Sequence, residues 1–293
     1  MEDLPAAAVR FILVMTLGLG FGLSVFGLHA LDAAHRQSWN ARIRGTQIGL
    51  SLAALAASAL GMAILAGRMF GTPLRELEPS HLQTLMELPG FALALGLRIA
   101  ALGGFLMMAV AGIGRPVIQS LLLAVALATL AWFGHGAASD GELGLLHLAS
   151  SIVHLLAAGL WLGAIAAFLL IASASPNSES GFLSQALRRF HLTGSLIVGL
   201  LLATGLLNAA MMLGSGGLAT AWGTAWGQLM VLKLLAFAAM LGLAALNRFR
   251  LAPLLAGNGA QGPLVFSLRA ELLLATSILF LVGWLGLLSP SGD

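Results

Sequence analysis

The sequence predicts an all-α fold, a polytopic integral membrane bundle of about eight transmembrane helices with both termini periplasmic. Three observations predict it. Of the 293 residues, 59% are apolar and only 9% are charged, whereas soluble domains carry roughly a quarter of their residues as Asp, Glu, Lys or Arg. Mean hydropathy is +0.98. The apolar residues also gather into eight runs, each long enough for the helix of about 20 residues that crosses a hydrocarbon core. With 11 acids and 14 bases, a water-facing surface cannot be covered. The 37 glycines show no period, which excludes a collagen-like chain, and the apolar excess excludes a disordered one.

The runs fall at 11–31, 45–67, 91–113, 117–135, 144–172, 190–213, 226–248 and 269–288. The first follows the acidic start Met1-Glu2-Asp3 and is longer than a signal-peptide core, so it reads as a retained helix. The second holds no formal charge. Between the second and third lies the longest loop, residues 68–90, with a helix-like stretch from Ser80 to Glu87 expected at the outer interface. The third contains Arg98, and the fourth ends at His135 within FGHGAASDGE. His147 and His154 fall along the start of the fifth. Residues 190–232 contain no Asp, Glu, Lys or Arg and are too many for one span, so 214–225, with Gly214, Gly216 and Gly217, reads as the connection between the sixth and seventh. Lys233 lies inside the seventh, and the eighth closes the chain. Helix is expected throughout, because hydrocarbon leaves each backbone amide to be satisfied within its own segment. No soluble domain, linker or internal repeat stands out, so residues 1–293 read as a single membrane domain.

Orientation follows from the bases. Arg36, Arg42, Arg44, Arg115, Arg188, Arg189, Arg248, Arg250 and Arg269 fall on one side, and Arg10, Arg68 and Arg75 on the other. The richer side is expected in the cytoplasm. The bases are otherwise scattered and form no basic run, so no nucleic-acid partner is expected despite a pI near 11. Zero cysteines exclude disulfides and thiolate metal sites. No phosphate loop, HExxH helix or GxSxG elbow occurs, and no enzyme is expected. Gly18/Gly22 and Gly159/Gly163 have the GxxxG spacing that lets helices pack closely.

In so apolar a chain the polar residues are the informative ones. His29, His35 and His191 fall on the cytoplasmic side, and His81, His135, His147 and His154 on the outer side. His147 and His154 are seven apart, hence on one helix face and separated by a rise of about 10.5 Å, which suits successive positions on a path better than chelation of one ion. Asp140 and Glu142 could attract a cation to them. The competing reading is that these histidines cap helices or bond backbone carbonyls. Met62, Met69, Met86, Met211, Met212 and Met230 map to the outer half. Thioethers with imidazoles suit Cu(I) better than zinc or magnesium, although methionine also simply fills apolar gaps. Arg98 and Lys233 are expected to snorkel outward. Glu271 is expected near the cytoplasmic end of the last helix, beside Arg269, Asn247 and Arg248, leaving no mid-membrane carboxylate.

Residues 130–290 resemble the CopD/PcoD family of bacterial copper-resistance inner-membrane proteins. The likeness is carried by GHGAA at 134–138, HLLAAGLWLGA at 154–164, RRF at 188–190, ATGLLNA at 203–209, WGQLMVLKLLAFAAMLGLAALNRFRLAP at 226–253 and the closing LLSP. The first 130 residues fit in the number and placement of their helices. The resemblance implies a multi-pass protein of the bacterial cell inner membrane that handles copper and works with a periplasmic CopC-type copper carrier. It implies His135, His147 and His154 as the outer copper site; His81, Met211, Met212 and Met230 are subsidiary candidates by their placement in the outer half. Where family members often have an acidic residue between the two helix-borne histidines, this chain has Ser150 and Ser151. The expected function is movement of copper from the periplasm into or across the membrane. The alternatives are a b-type haem electron carrier, which would need histidines at matching depths on neighbouring helices, and a non-transporting copper-sensing or assembly subunit.

Overall fold

The computed structural model describes residues 3–133, 141–174, 180–213, 222–258 and 261–289. The described residues are overwhelmingly helical, and eight helices among them are long and apolar enough to cross a membrane. They are α1 (Leu4–His29), α2 (Ala33–Phe70), α4 (Phe91–Val110), α5 (Pro116–Ala128, continued by a tighter turn Thr129–Phe133), α6 (Gly141–Ala174), α7 (Ser180–Leu213), α8 (Ala225–Leu246) and α10 (Gly262–Leu285). A short helix, α3 (Pro79–Glu87), lies in the 2–3 connection where the sequence places one. A π turn, Asn247–Leu251, and α9 (Ala252–Asn258) extend α8.

Several helices outrun their apolar stretches. The segment bearing Arg36, Arg42 and Arg44 reads as a loop in the sequence, but α2 already begins at Ala33. Its N-cap is Asp32, whose side chain accepts from the His35 backbone N–H at 3.0 Å. That bond, joined by the His35 ring, holds the Asp32 carboxyl below the usual carboxylate range. The arginines of this extension reach the carbonyl ends of other helices. Arg36 donates to Gly27 and Leu28 at the end of α1, Arg44 to Val110 at the end of α4, and Arg42 to Leu170 near the end of α6. Guanidinium groups there satisfy orphan carbonyls and oppose the helix dipoles. These contacts define an arginine-rich end of the bundle. The opposite, terminal end carries Leu4 and Leu285, and there Arg10 bonds the carbonyls of Gly286 and Phe133.

The helices α1 and α6 form the centre. Their crossing is set by the four glycines at GxxxG spacing: a Cβ on Gly22 would fall 2.8 Å from the Gly163 Cα, and one on Gly159 3.3 Å from the Gly18 Cα. Backbones meet there because no side chain intervenes. Around the crossing, Phe168 packs edgewise on Phe26 and Phe190, and Trp39 lies tilted against Phe26, in one apolar core. A second core joins α1 to α2, α4 and α5. By contrast α7 and α8 present Leu192, Leu206, Leu235 and many similar side chains outward, as lipid-facing helices do.

Candidate functional site

Helix α6 is 34 residues long, about 51 Å by its rise. His154 stands 13 residues in, roughly 20 Å from the start, in the apolar interior rather than in the first turns. It lies between α7 and α8. Its Nδ1 is 2.9 Å from Thr204 Oγ1, and that hydroxyl donates to the Leu200 carbonyl at 2.5 Å. With its one proton spent on Leu200, Thr204 Oγ1 can only accept, so His154 carries its proton on Nδ1. In the neutral ring the Nε2 lone pair is then free. One turn back, Ser150 Oγ donates to the Thr204 carbonyl at 3.4 Å. Gly205 lies against the imidazole: a Cβ there would stand in van der Waals contact with its Cε1, at 3.4 Å. Lys233 of α8 is close enough for its charge to act on His154.

His147, two turns nearer the terminal end, is 4% exposed. Between α6 and α7 an open groove of about 230 Å³ is lined by Leu146, Ala149, Ser150, Val153, Ala203, Thr204 and Leu207. The seven-residue spacing continues beyond His154 to Trp161, whose ring packs edgewise on Phe237. His147, His154 and Trp161 therefore mark one stripe down α6.

The other sequence candidates are dispersed. His135 and Asp140 lie outside the described residues. His81 sits on α3, where its Nδ1 accepts from the Glu78 backbone N–H at 3.2 Å and its ring stacks on Phe70 at 4.4 Å. That is a helix-capping role, remote from α6 in the chain. Met212 and Met230 share an apolar cluster with Trp226 and Leu285 at the terminal end, and Met211 lies beside Met212 on α7. Among the described residues no three of His, Asp and Glu gather as a metal-holding group.

Two expectations need correction. Arg98 does not snorkel: it is 2% exposed, donates to Thr129 Oγ1 at 2.9 Å and Ser58 Oγ at 3.3 Å, and lies 4.7 Å over the Phe133 ring. Two hydroxyls and an aromatic face replace its hydration. Glu271 is not an interfacial acid paired with arginine. Because α10 begins at Gly262, the carboxylate is nine residues inside and 3% exposed, and it accepts from Asn247 Nδ2.

Comparison with known proteins now bears on this arrangement. Residues 1–145 match the model of the copper resistance protein D-like N-terminal domain, and residues 184–285 that of copper resistance protein D. Copper resistance protein D of Pseudomonas syringae pv. tomato is 33% identical over 310 residues, covering 99% of this chain and 98% of its own. The chain belongs to the copper resistance protein D family. Inner membrane protein YebZ of Escherichia coli is 25% identical over 286 residues, covering 97% of each chain. No solved structure matches. This member of the copper resistance protein D family is thus a multi-pass, copper-related protein of the bacterial inner membrane. Family likeness reaches the first 130 residues as well, which by motif alone matched only in helix placement. Thr204 and Gly205, which lie against His154, are residues the sequence reading passed over. Their signal lay in the ATGLLNA block, where a threonine and a glycine interrupt a lipid-facing leucine run.

Proposed function

We propose that this protein takes up copper at the periplasmic face and passes it into the membrane along α6. A periplasmic CopC-type carrier delivers the ion, His135 and His147 receive it, and His154 holds it at mid-depth. Copper is here the cargo. The orientation that puts His135 and His147 outside rests on the arginine bias of the opposite end. The observation that carries the reading is the 2.9 Å contact of His154 Nδ1 with Thr204 Oγ1, which leaves Nε2 of this half-buried ring for a ligand. A hydrogen bond on the other ring nitrogen is what orients and strengthens a metal-binding imidazole. An imidazole and lipid-facing surroundings favour a soft monovalent ion, Cu(I), over harder cations. Lys233 opposes tight retention of a cation at His154, which suits a site that must release its ion.

Metal analysis with a visible spectrum of the purified protein, together with its His154→Ala and His191→Ala variants, tests the proposal. The wild type should bind copper without a Soret band, His154→Ala should lose most of it, and His191→Ala should keep it. Equal loss in both folded variants would remove the site, and a Soret band with stoichiometric iron would replace it with the haem reading.

A further inference from the structure

Glu271 is not among the residues of the proposed copper path, yet its surroundings are built around it. A carboxyl about 13 Å inside a spanning helix needs either a counter-charge or a proton. No counter-charge meets it: the ion pairs among the described residues are Asp32–His35, Asp3–Arg68 and Glu76–Arg75. The cations at its end of the bundle are directed elsewhere. Arg248 donates to Ser195 Oγ at 2.6 Å, nears His191 and lies over Phe249, while Arg188 donates to Ser184. Arg250 and Arg269 are exposed. On the helices packed against α10 the remaining titratable groups stand at other depths. Helix α1 has Arg10, bonded at the terminal end, and His29, bonded to Thr193. Helix α6 has Glu142, His147 and His154, and α8 has Lys233, roughly 21 Å of helix before Asn247.

What does meet Glu271 is neutral. Asn247 Nδ2 donates to its Oε1, and the Trp161 side chain lies beside the carboxyl. Asn247 opens the π turn Asn247–Leu251, a distortion that recurs at functional places in helices. Its Oδ1 is buried and has no partner among the described residues, as is the Oγ of Ser267, one turn from Glu271 on the same face. An amide is a two-sided partner. Its NH2 donates to an ionised carboxylate, and after a half-turn about the last side-chain bond its oxygen accepts from the protonated acid. An arginine would satisfy only the first state.

We propose that Glu271, held by Asn247 and Trp161, is a reversible proton-binding site in the arginine-rich half of the bundle. One proton adds to a carboxylate oxygen, the Asn247 amide turns so that Oδ1 accepts it, and release reverses both. The ligand is a proton rather than a metal ion, because the carboxyl faces N–H donors, and no second acid or histidine joins it. The site stands independently of the copper reading.

Infrared difference spectroscopy of the full chain in nanodiscs, titrated without copper, tests it. A protonated-carboxyl band should grow on acidification, vanish in Glu271→Gln and shift in Glu271→Asp, while Asn247→Leu should move its midpoint. A carboxyl signal unchanged by Glu271→Gln would overturn the proposal. If that variant does not insert, labelling of the wild type by a hydrophobic carbodiimide decides. An adduct on Glu271 that declines as pH rises supports the site, and no adduct, or one indifferent to pH, overturns it.

Discussion

At the scale of single residues, the His154 ring is oriented by its contact with Thr204 Oγ1 at 2.9 Å, between α6 and α7. His154 was visible as a candidate because histidine is rare in an apolar helix. Its tautomer was not, since that depends on Thr204, 50 positions away and bonded to it across two helices. Thr204→Val keeps the shape but removes the oxygen that orients the ring. Copper affinity of the purified variant should fall about 10–100-fold, with helicity unchanged, and Thr204→Ser should restore most of it. Unaltered affinity in Thr204→Val would show that the bond does not prepare the ligand. Glu271 misled for a related reason. Arg269 two residues before it suggests an interfacial pair, but residues two apart on a helix point to different sides; of the neighbours expected from the sequence Asn247 does meet the acid, while its burial away from the arginines comes from the fold.

At the scale of elements, the eight spans were legible from composition alone, because the apolar runs match bilayer thickness. Helix ends were not. Arg36, Arg42 and Arg44 look like loop residues, yet they lie on a helix that projects beyond its apolar stretch to reach the carbonyl ends of α1, α4 and α6. Hydropathy reports where lipid stops, whereas capping and hydrogen bonding decide where a helix stops. The meeting of α1 and α6 was foreshadowed by two GxxxG spacings, although which glycines face each other comes from the structure. Gly163→Leu would force these helices apart and displace the α6 stripe from α7 and α8. A cost of about 1–3 kcal/mol or more follows from overpacking. Thermal denaturation in detergent should show a lowered midpoint, whereas Gly199→Leu, which meets nothing within 4 Å, should leave it nearly unchanged. Similar midpoints for the two would mean that the crossing is not tight.

At the scale of the whole molecule, an even number of crossings returns the chain to the side where α1 begins. The arginine-rich end gathers the bases of four connections. Reporter fusions after Asp140 and Asp293 should therefore both be active only as periplasmic enzymes. Cytoplasmic activity at either would invert the proposed path from His147 to His154. Given the proposed orientation, a monovalent cation moving inward gains about 2.3 kcal/mol per 100 mV of inside-negative potential, enough to favour Cu(I) import without ATP. On the proposed path this chain itself conducts copper. The most direct measurement is Cu(I) uptake into proteoliposomes of defined orientation carrying the wild type or His154→Ala, with an imposed potassium diffusion potential and no ATP. Uptake by the wild type that grows with the inside-negative potential and is lost in His154→Ala is the predicted result. Uptake that ignores the potential, or that requires ATP and a second protein, would contradict it.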